Sequence, residues 1–256
     1  MVLANGQQEG MKEKIDPAKI PTHIAVIMDG NGRWAKKRGA ARLFGHKNAI
    51  QAVRDVTEGC AELGVERLTL YAFSTENWNR PKLEVDGLMS LLVSTIKKEI
   101  PTLVKNNIRL QPIGDIEHLP IDAQKNLRLG IEQTEENTGM ILSLALNYGG
   151  KWEISHAVKK LIDEIKENDS EVDTLSVDDI NKYIENNTTP EVELMIRTSG
   201  EHRISNFLLW QAAYAELHFT ETLWPDFRKK HLYDAILDFQ NRERRLGKTS
   251  EQLVKK

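Results

Sequence analysis

A chain of 256 residues can bury roughly three-quarters of its unfolded surface, so it needs neither disulfides nor a structural metal to fold. With 35 Lys and Arg against 38 Asp and Glu, a net charge of −3 and 40% hydrophobic residues, it is neither a disordered polyelectrolyte nor a uniformly basic nucleic-acid binder. The single cysteine, Cys60, allows no intrachain disulfide, and no Cys/His cluster suggests zinc, so a reducing, cytoplasmic setting is expected.

Residues 1–20 read as a flexible tail, with a polar start (Asn5 to Lys14) that lacks a signal-peptide core. The first strand spans His23–Met28; its apolar run, Ile24–Met28, is far short of the about 20 residues a membrane span needs. It leads into Asp29-Gly30-Asn31-Gly32-Arg33-Trp34. From Asn31 to Asn48 the chain carries Arg33, Lys36, Lys37, Arg38, Arg42 and Lys47 with no acidic residue, leaving a charge of −9 on the rest. Such a run is a solvated helix face or an anion site. Ala49, Ala52, Val53, Val56, Cys60 and Leu63 then recur at helical spacing, and Gly64 stops that helix. A second strand, Leu68–Phe73, opens into Ser74-Thr75-Glu76-Asn77-Trp78-Asn79-Arg80-Pro81. The next helix is apolar around more than half its circumference (Leu83, Leu88, Met89, Leu91, Leu92, Val93, Ile96), so it is covered on several sides or lines an apolar cavity.

Further strands are expected at Ile108–Ile113, Ile141–Asn147, Leu194–Arg197 and Glu216–Phe219, and further helices at Asp122–Glu136, Trp152–Glu167, Ser176–Glu185 and Lys229–Arg245. Short unalternating apolar strands between helices predict an α/β single domain: a six-stranded, mainly parallel sheet flanked by helices. In such a sheet ligands bind beyond the carboxyl ends of the strands. Four strand ends carry the unusual residues, including Asn147-Tyr148-Gly149-Gly150 and the stretch from Arg197 to Ser205.

Two glycines around Asn31 let the backbone approach a ligand, and their N–H groups suit phosphate oxygens. Gly30-x-Gly32-x-x-Ala35 also matches a dinucleotide fingerprint, which would make the chain an NAD(P)-dependent oxidoreductase; the second strand, however, ends in Ser74 rather than an acidic residue. Asp29 beside a phosphate cradle suggests Mg²⁺, which takes one or two carboxylates and completes its shell with phosphate and water. Arg80, Arg197 and Arg203 add guanidinium forks suited to phosphate. Together these cations exceed what one monophosphate needs. Ser74 and Asn77 are weak bases that would require close positioning.

The strings His23–Ala35, Leu70–Pro81, Asn147–Gly150, Ile196–Gln211 and Ala215–Phe219, in this order, resemble the cis-prenyltransferase family, and within it the bacterial enzymes that make undecaprenyl diphosphate. The likeness covers about residues 21–247, which makes that stretch one catalytic domain, followed by a 248–256 tail. It implies repeated condensation of isopentenyl diphosphate onto farnesyl diphosphate with Mg²⁺, giving a long polyprenyl diphosphate that serves as a lipid carrier precursor for cell-wall synthesis. By resemblance Asp29 is the metal-associated catalytic carboxylate, completed by Glu216 and His202. Gly30, Asn31, Gly32, Arg33, Arg42 and His46 hold the allylic diphosphate, Arg80 contacts diphosphate, and Trp34 and Trp78 flank the substrates. Ser74 and Asn77 are placed for proton removal, within a substrate-binding loop that includes Thr75 and Glu76. Arg197, Arg203, Ile204 and Ser205 bind isopentenyl diphosphate. The aspartate-rich DDxxD motif of trans-prenyltransferases is absent, Asp178-Asp179 being followed by Ile-Asn-Lys.

The resemblance also implies a hydrophobic tunnel, with Leu88, Leu91, Leu92 and Ile96 on its wall and Met140 or Ile141 at its floor. It further implies a homodimer in which Arg245-Leu246-Gly247 reaches toward the partner's site, and transient contact with a membrane surface for product delivery. Lys248 stands where the family often has another glycine. A non-catalytic partner subunit of a heteromeric relative is the remaining alternative; the full set Asp29, Asn31, Arg33, Arg197 and Arg203 speaks against it.

Overall fold

Five consecutive buried residues form the first strand, β1 (His23–Ile27). A strand with no exposed face must be covered on both sides, as in parallel sheets. The computed structural model describes residues 10–168, 176–184, 190–246, 249 and 252. Within them follow β2 (Arg67–Ser74), β3 (Arg109–Ile113), β4 (Ile141–Tyr148), β5 (Leu194–Arg197) and β6 (Glu216–Phe219). These six strands make one sheet of order β3-β4-β2-β1-β5-β6. Every neighbouring pair is parallel, so the mainly parallel sheet expected from the sequence is wholly parallel.

The helices are α1 (Asn31–Lys36), α2 (Arg42–Asn48), α3 (Ile50–Leu63), α4 (Lys82–Lys105), α5 (Ile121–Thr134), α6 (Gly150–Asn168), α7 (Val177–Asn181) and α8 (Lys229–Gln240). The basic run thus folds as two short helices, α1 and α2. The last helix stops at Gln240 instead of continuing to Arg245, and the helix expected over Ser176–Glu185 ends at Asn181; Glu185, like Gly247 and Lys248, lies outside the described residues.

From β1 the chain moves to β2, then to β3 at the edge and back to β4 between the two, before crossing to β5 and β6 on the other side of β1, so its direction of winding switches between β1 and β5. Open parallel sheets bind ligands at such a point. Ile27 is in register with Arg197, which brings the end of β5 next to the Asp29 loop. The order is not the 3-2-1-4-5-6 of a dinucleotide-binding sheet. The oxidoreductase reading loses its structural basis here.

Helix α3 buries Ala52, Val56 and Cys60 completely, one residue per turn, against a core that includes Leu68, Leu70 and Ile236. Gly64 ends it in the left-handed region (φ 81°), which lets the Val65 N–H return to the Cys60 carbonyl at 3.1 Å. Burial pushes the Cys60 thiol pKa well up, so this cysteine is a core residue. Helix α4 runs through Pro101 to Lys105. Ile100 packs with Ala123 and Leu127 of α5, Leu91 faces a cavity, and Leu88, Met89, Leu92 and Ile96 do both. Its wide apolar surface therefore has two causes.

The described part of the expected N-terminal tail is anchored. Ile15 is buried in the main core, and the Gln240 amide donates to the Asp16 and Lys19 carbonyls at 2.9 and 3.1 Å. Just before β1, Thr22 donates through its N–H and hydroxyl to Glu193 at 2.6 and 2.9 Å. The start of β1 is thereby tied to α8 and β5.

Candidate active site

Gly30, with φ 105°, turns the chain out of β1 into α1, and a Cβ there would meet Leu223 at 2.9 Å and Ser199 at 3.0 Å. Helix α2 packs so closely that a Cβ on Gly45 would lie 2.0 Å from the Asn31 carbonyl oxygen. Backbone thus sits on backbone, and the cationic side chains of both helices share one shelf. A cavity of about 620 Å³ opens over it, lined by Asp29, Gly30, Gly32, Arg33, Arg42 and Arg80 among others.

Asp29 Oδ2 lies 3.0 Å from Arg197 Nη2 and 3.2 Å from Arg33 Nη2, and its Oδ1 accepts the Gly30 N–H at 2.6 Å. Burial pushes its pKa up, but hydrogen bonds from Arg197 and Gly30 and the charge of Arg33 outweigh it, leaving the carboxyl below its ordinary value. It is an anion at neutral pH. Arg197, only 4% exposed, donates from Nη1 to the Arg203 carbonyl at 2.5 Å and to Ser205 Oγ at 2.6 Å. Its buried Nε has no protein partner. Arg33 holds Ser199 through its carbonyl (3.0 Å) and hydroxyl (2.5 Å) and pairs with Glu201 at 3.1 Å. Glu84 neutralises the other side of the shelf, 3.1 Å from Arg80 and 3.8 Å from Arg42.

His46 lies between these groups. Burial first, and then the charges of Arg80 and Arg42, lower its pKa to about 4. It is neutral at pH 7, and its Nδ1 faces the Asn31 side-chain amide at 3.4 Å, which leaves the proton on Nε2. The Asn31 Oδ1 is buried without a partner. Two of the buried side-chain polar atoms without a protein partner, on Asn31 and Arg197, thus belong to residues that line one cavity.

A second cavity, about 640 Å³, shares Asp29, Asn31, His46 and Arg80 with the first and continues between α3, α4 and the sheet over Val53, Leu88, Leu91 and Leu92. Ser74, Glu76 and Asn77 line it as well. They reach it because the β2–β4 register shifts between Tyr71 and Ser74, an irregularity that re-aims the end of β2. The Ser74 N–H donates to Asn77 Oδ1 at 3.2 Å. A third, apolar cavity of about 130 Å³ shares Met28, Val53, Ala72, Leu92 and Thr95 with the second and reaches Leu142 and Leu144. All four expected wall residues, Leu88, Leu91, Leu92 and Ile96, line one or other of these two cavities. Neither Met140 nor Ile141, the expected floor, lines them: Met140 is buried in the main core, and of β4 it is Leu142 and Leu144 that reach the third cavity.

Several expected site residues are placed elsewhere. Trp34 is buried, stacked 5.8 Å from Phe44 with the Arg38 guanidinium 3.7 Å over its ring, and it lines none of these cavities. Trp78 packs edge-on against Phe73 at 5.0 Å and donates to Asn147 Oδ1 at 2.7 Å, again off the cavity lining. Ile204 packs into the core beside β5. The Arg203 side chain is exposed and paired with Glu201 at 2.5 Å, so its carbonyl, not its guanidinium, touches Arg197. Thr75 lies against Gly149, where a Cβ would be 2.8 Å from its hydroxyl.

Asn147 and Asn206 received no role from the sequence, yet they tie the loops together. Asn147 (φ 49°) accepts from Trp78 and donates to the Asp115 carbonyl at 3.1 Å. Asn206 (φ 62°) donates to Glu76 at 2.9 Å, accepts the Lys151 N–H at 2.9 Å and receives the Gly150 N–H on its carbonyl at 2.7 Å. Asparagine at a strand end is the available signal, because it tolerates the left-handed region.

The expected metal set does not assemble. Glu216 begins β6 opposite Leu194, three residues behind the Phe219–Arg197 level, which is about 10 Å on a strand rise of ~3.3 Å. There it accepts from Arg242 at 2.9 Å. His202 is exposed, its ring 4.9 Å from Phe219. Among the described residues no group of three His, Cys, Asp or Glu could hold a metal. Asp29 alone, beside a shelf for phosphate oxygens, still fits Mg²⁺, because that ion takes one or two carboxylates and leaves the rest of its shell to substrate and water.

A family model described as "Putative undecaprenyl diphosphate synthase" matches residues 27–247. An isoprenyl transferase of Chlorobaculum tepidum is 50% identical over 91% of this chain and 88% of its own length. A farnesyl-diphosphate-specific ditrans,polycis-undecaprenyl-diphosphate synthase of Pasteurella multocida is 47% identical over 93% of this chain and 99% of its own. Among solved structures, lavandulyl diphosphate synthase from Lavandula x intermedia, in complex with dimethylallyl diphosphate, superposes with a TM-score of 0.88 at 33% identity, covering 90% of this chain and all of that one. A structure from Campylobacter jejuni described as a probable undecaprenyl diphosphate synthase gives 0.74 at 34% identity, over 89% and 99% of the two chains. With the parallel sheet, the Asp29–Arg197 pair and the shelf-to-cavity arrangement, these likenesses place the chain in the undecaprenyl diphosphate synthase family of cis-prenyltransferases.

Proposed function

We propose that this protein condenses isopentenyl diphosphate repeatedly onto farnesyl diphosphate, with Mg²⁺, to make undecaprenyl diphosphate, the lipid carrier precursor for cell-wall synthesis. The observation that carries this reading is the continuity of the cavities: a cationic shelf passes into an apolar cleft through Asp29, Asn31, His46 and Arg80, matching a diphosphate head with a prenyl tail.

The Asn31 and Gly32 backbone at the start of α1, with Arg33, Arg42, Arg80 and neutral His46, binds the allylic diphosphate. Glu84 and Glu201 hold these arginines until substrate takes their place. Arg197 and Ser205 orient isopentenyl diphosphate, and Arg203 joins them by releasing Glu201. In each cycle the allylic carbon–oxygen bond breaks and pyrophosphate leaves with the electron pair. The isopentenyl double-bond electrons form the carbon–carbon bond from its terminal carbon, and a proton is lost from the methylene next to the diphosphate-bearing carbon, whose C–H electron pair becomes the new double bond. Ser74 and Asn77, both on the cavity wall, position that proton for transfer to a phosphate oxygen. Asp29 would hold Mg²⁺, which when bound would supply positive charge to the departing diphosphate.

The tail gains about 0.8 kcal/mol per buried CH₂, so product release limits turnover. No helix among the described residues is long and apolar enough to cross a membrane. We place the protein in the cytoplasm as a homodimer that touches the membrane surface transiently to deliver product.

Purified protein incubated with Mg²⁺, farnesyl diphosphate and labelled isopentenyl diphosphate is expected to give a chain-extended polyprenyl diphosphate. The Asp29→Ala variant is expected to give almost none. Absence of extension by the wild type, or full extension by Asp29→Ala, overturns the reading.

A further inference from the structure

Charge holds the Asp29 carboxylate, but a neutral side chain holds the Asp29 backbone. Thr198, the residue after β5, is fully buried. Its hydroxyl accepts the Asp29 N–H at 2.9 Å and lies 2.7 Å from the Asp29 carbonyl oxygen, against 3.4 Å to the carbonyl of Ile27. A hydroxyl carries a single hydrogen, and the shorter distance gives that hydrogen to Asp29. One residue earlier, Arg197 meets the Asp29 carboxylate at 3.0 Å. The end of β5 thus grips Asp29 twice, by its side chain and by its peptide groups.

The hydroxyl is not what places the surrounding loop. Ser199 and Gly200 donate their N–H groups to the Thr222 and Thr220 carbonyls, each at 2.9 Å, so backbone alone ties this segment to the one after β6. The Asp29 N–H also meets the Ile27 carbonyl at 3.0 Å, and the Asp29 carbonyl accepts the Trp224 N–H at 3.0 Å. Buried polar groups of Asp29 therefore keep a partner even without Thr198. What the hydroxyl adds is a direct tie between Asp29 and the strand that carries Arg197.

That tie differs in kind from the ion pair beside it. In the proposed reaction Arg197 turns its charge to isopentenyl diphosphate and Asp29 turns its carboxylate to Mg²⁺, so the pair loosens as substrates arrive. A bond between a hydroxyl and a peptide group takes no part in that exchange, and Thr198 lines none of the three cavities. We infer that Thr198 is a positioning residue, whose hydroxyl keeps the Asp29 carboxylate in place for Mg²⁺ when Arg197 releases it. This rests on the reading of Asp29 as the metal-holding carboxylate.

Thr198→Val keeps the shape and removes the hydroxyl, whereas Thr198→Ser keeps the hydroxyl and removes the methyl. Two readouts separate positioning from a structural role: kcat at saturating Mg²⁺, and calorimetric titration of Mg²⁺ into enzyme holding farnesyl diphosphate, with no isopentenyl diphosphate present and hence no condensation. Thr198→Val is expected to lower kcat and weaken Mg²⁺ binding by about tenfold or more each, as loss of a partner behind a metal ligand typically does. Its KM for farnesyl diphosphate should stay near the wild-type value, and Thr198→Ser should recover most of both losses. If Thr198→Val does not fold, as judged by circular dichroism, Thr198→Ala, too small to press on the Asp29 backbone, is read in the same way. A folded hydroxyl-free variant with wild-type kcat and Mg²⁺ affinity overturns the inference, and so does a Thr198→Ser variant that loses as much as Thr198→Val. A wild type that binds Mg²⁺ and farnesyl diphosphate without extending it strikes instead at the proposed function, and the Mg²⁺ titration still decides the part of Thr198.

Discussion

Gly45 has no unusual backbone angle, yet it is the residue that lets α2 rest on α1. A methyl group there would press into the Asn31 carbonyl oxygen at 2.0 Å, and neither helix backbone can move aside without moving the shelf. Gly45→Ala is expected to cost about 1–3 kcal/mol, as overpacking typically does, and to raise the KM for the allylic substrate. Urea unfolding alongside initial-rate kinetics measures both, and an unaltered midpoint would contradict the close packing. Arg197 makes a second residue-scale case. One guanidinium reaches the Asp29 carboxylate, the Arg203 carbonyl and Ser205 Oγ. A lysine is a point charge without the planar fork, so Arg197→Lys keeps the charge and loses the simultaneous reach. At about 1.5–3 kcal/mol for each hydrogen bond to a charged group, the KM for isopentenyl diphosphate should rise at least tenfold. A smaller rise would mean that Arg197 serves the fold alone. Asp29 and Arg197 were legible in the sequence because charged residues at strand ends stand out. Asn206 was not, since its work lies in contacts to Glu76, Gly150 and Lys151, distant in the chain.

At the scale of elements, strand β4 shows how far a pattern reaches. Side chains two apart share a face, so Met140, Leu142 and Leu144 all point to the same side of the sheet. The expected floor, Met140 or Ile141, names neighbours on opposite faces and stops short of the cavity, because alternation tells which face a residue takes and not where along the strand the core ends and the cavity begins. Met140 is packed in the main core, while Leu142 and Leu144 reach the cavity. Leu144→Trp is accordingly expected to shorten the product by one or more five-carbon units. Met140→Trp should destabilise the fold by about 1–3 kcal/mol and leave the length of the chain made by the surviving enzyme unchanged. Chromatography of the products and thermal melts of both variants distinguish the two positions; equal products from both would erase the distinction. Helix α4 teaches the same lesson. Its excess apolar surface was visible as composition, and only the folded chain shows which residues serve the packing on α5, the cavity or both.

For the molecule as a whole, a net charge of −3 hides a cationic shelf in an acidic chain, and buried histidines, one of them on the shelf, impose a pH dependence. Segregation of charge along the sequence was legible. The burial of individual titratable groups was not, nor was the distance that separates Glu216 from Asp29, since both depend on strand order and register. His23 is wholly buried in β1, with Nδ1 2.9 Å from the Pro190 carbonyl and Nε2 2.7 Å from Thr69 Oγ1. Burial drives its pKa down to about 4 against the bond to Pro190, and His46 likewise stands at about 4. Because both folded values lie below the unfolded value of about 6.5, the stability they confer is complete above pH 6.5 and is lost as the pH falls from there toward 4. His231 shifts in the same direction, whereas His118, fully exposed beside Asp115, shifts upward and has the opposite sign. Asp29 and the other carboxylates held low keep their charge in this window and add to the loss only below it. At about 1.36 kcal/mol per pKa unit, His23 and His46 each withdraw about 3 kcal/mol by pH 4, a large share of the 5–15 kcal/mol that holds a domain together. Urea unfolding at pH 7.0, 6.0, 5.0 and 4.5 should therefore show unfolding free energy falling steadily below pH 6.5. His23→Gln, which retains a donor and an acceptor but cannot titrate, should lower stability at pH 7 yet flatten the slope by about half. A wild-type stability that stays level from pH 7 to 4.5, or a slope unaffected by His23→Gln, would show that these histidines titrate near their unfolded values.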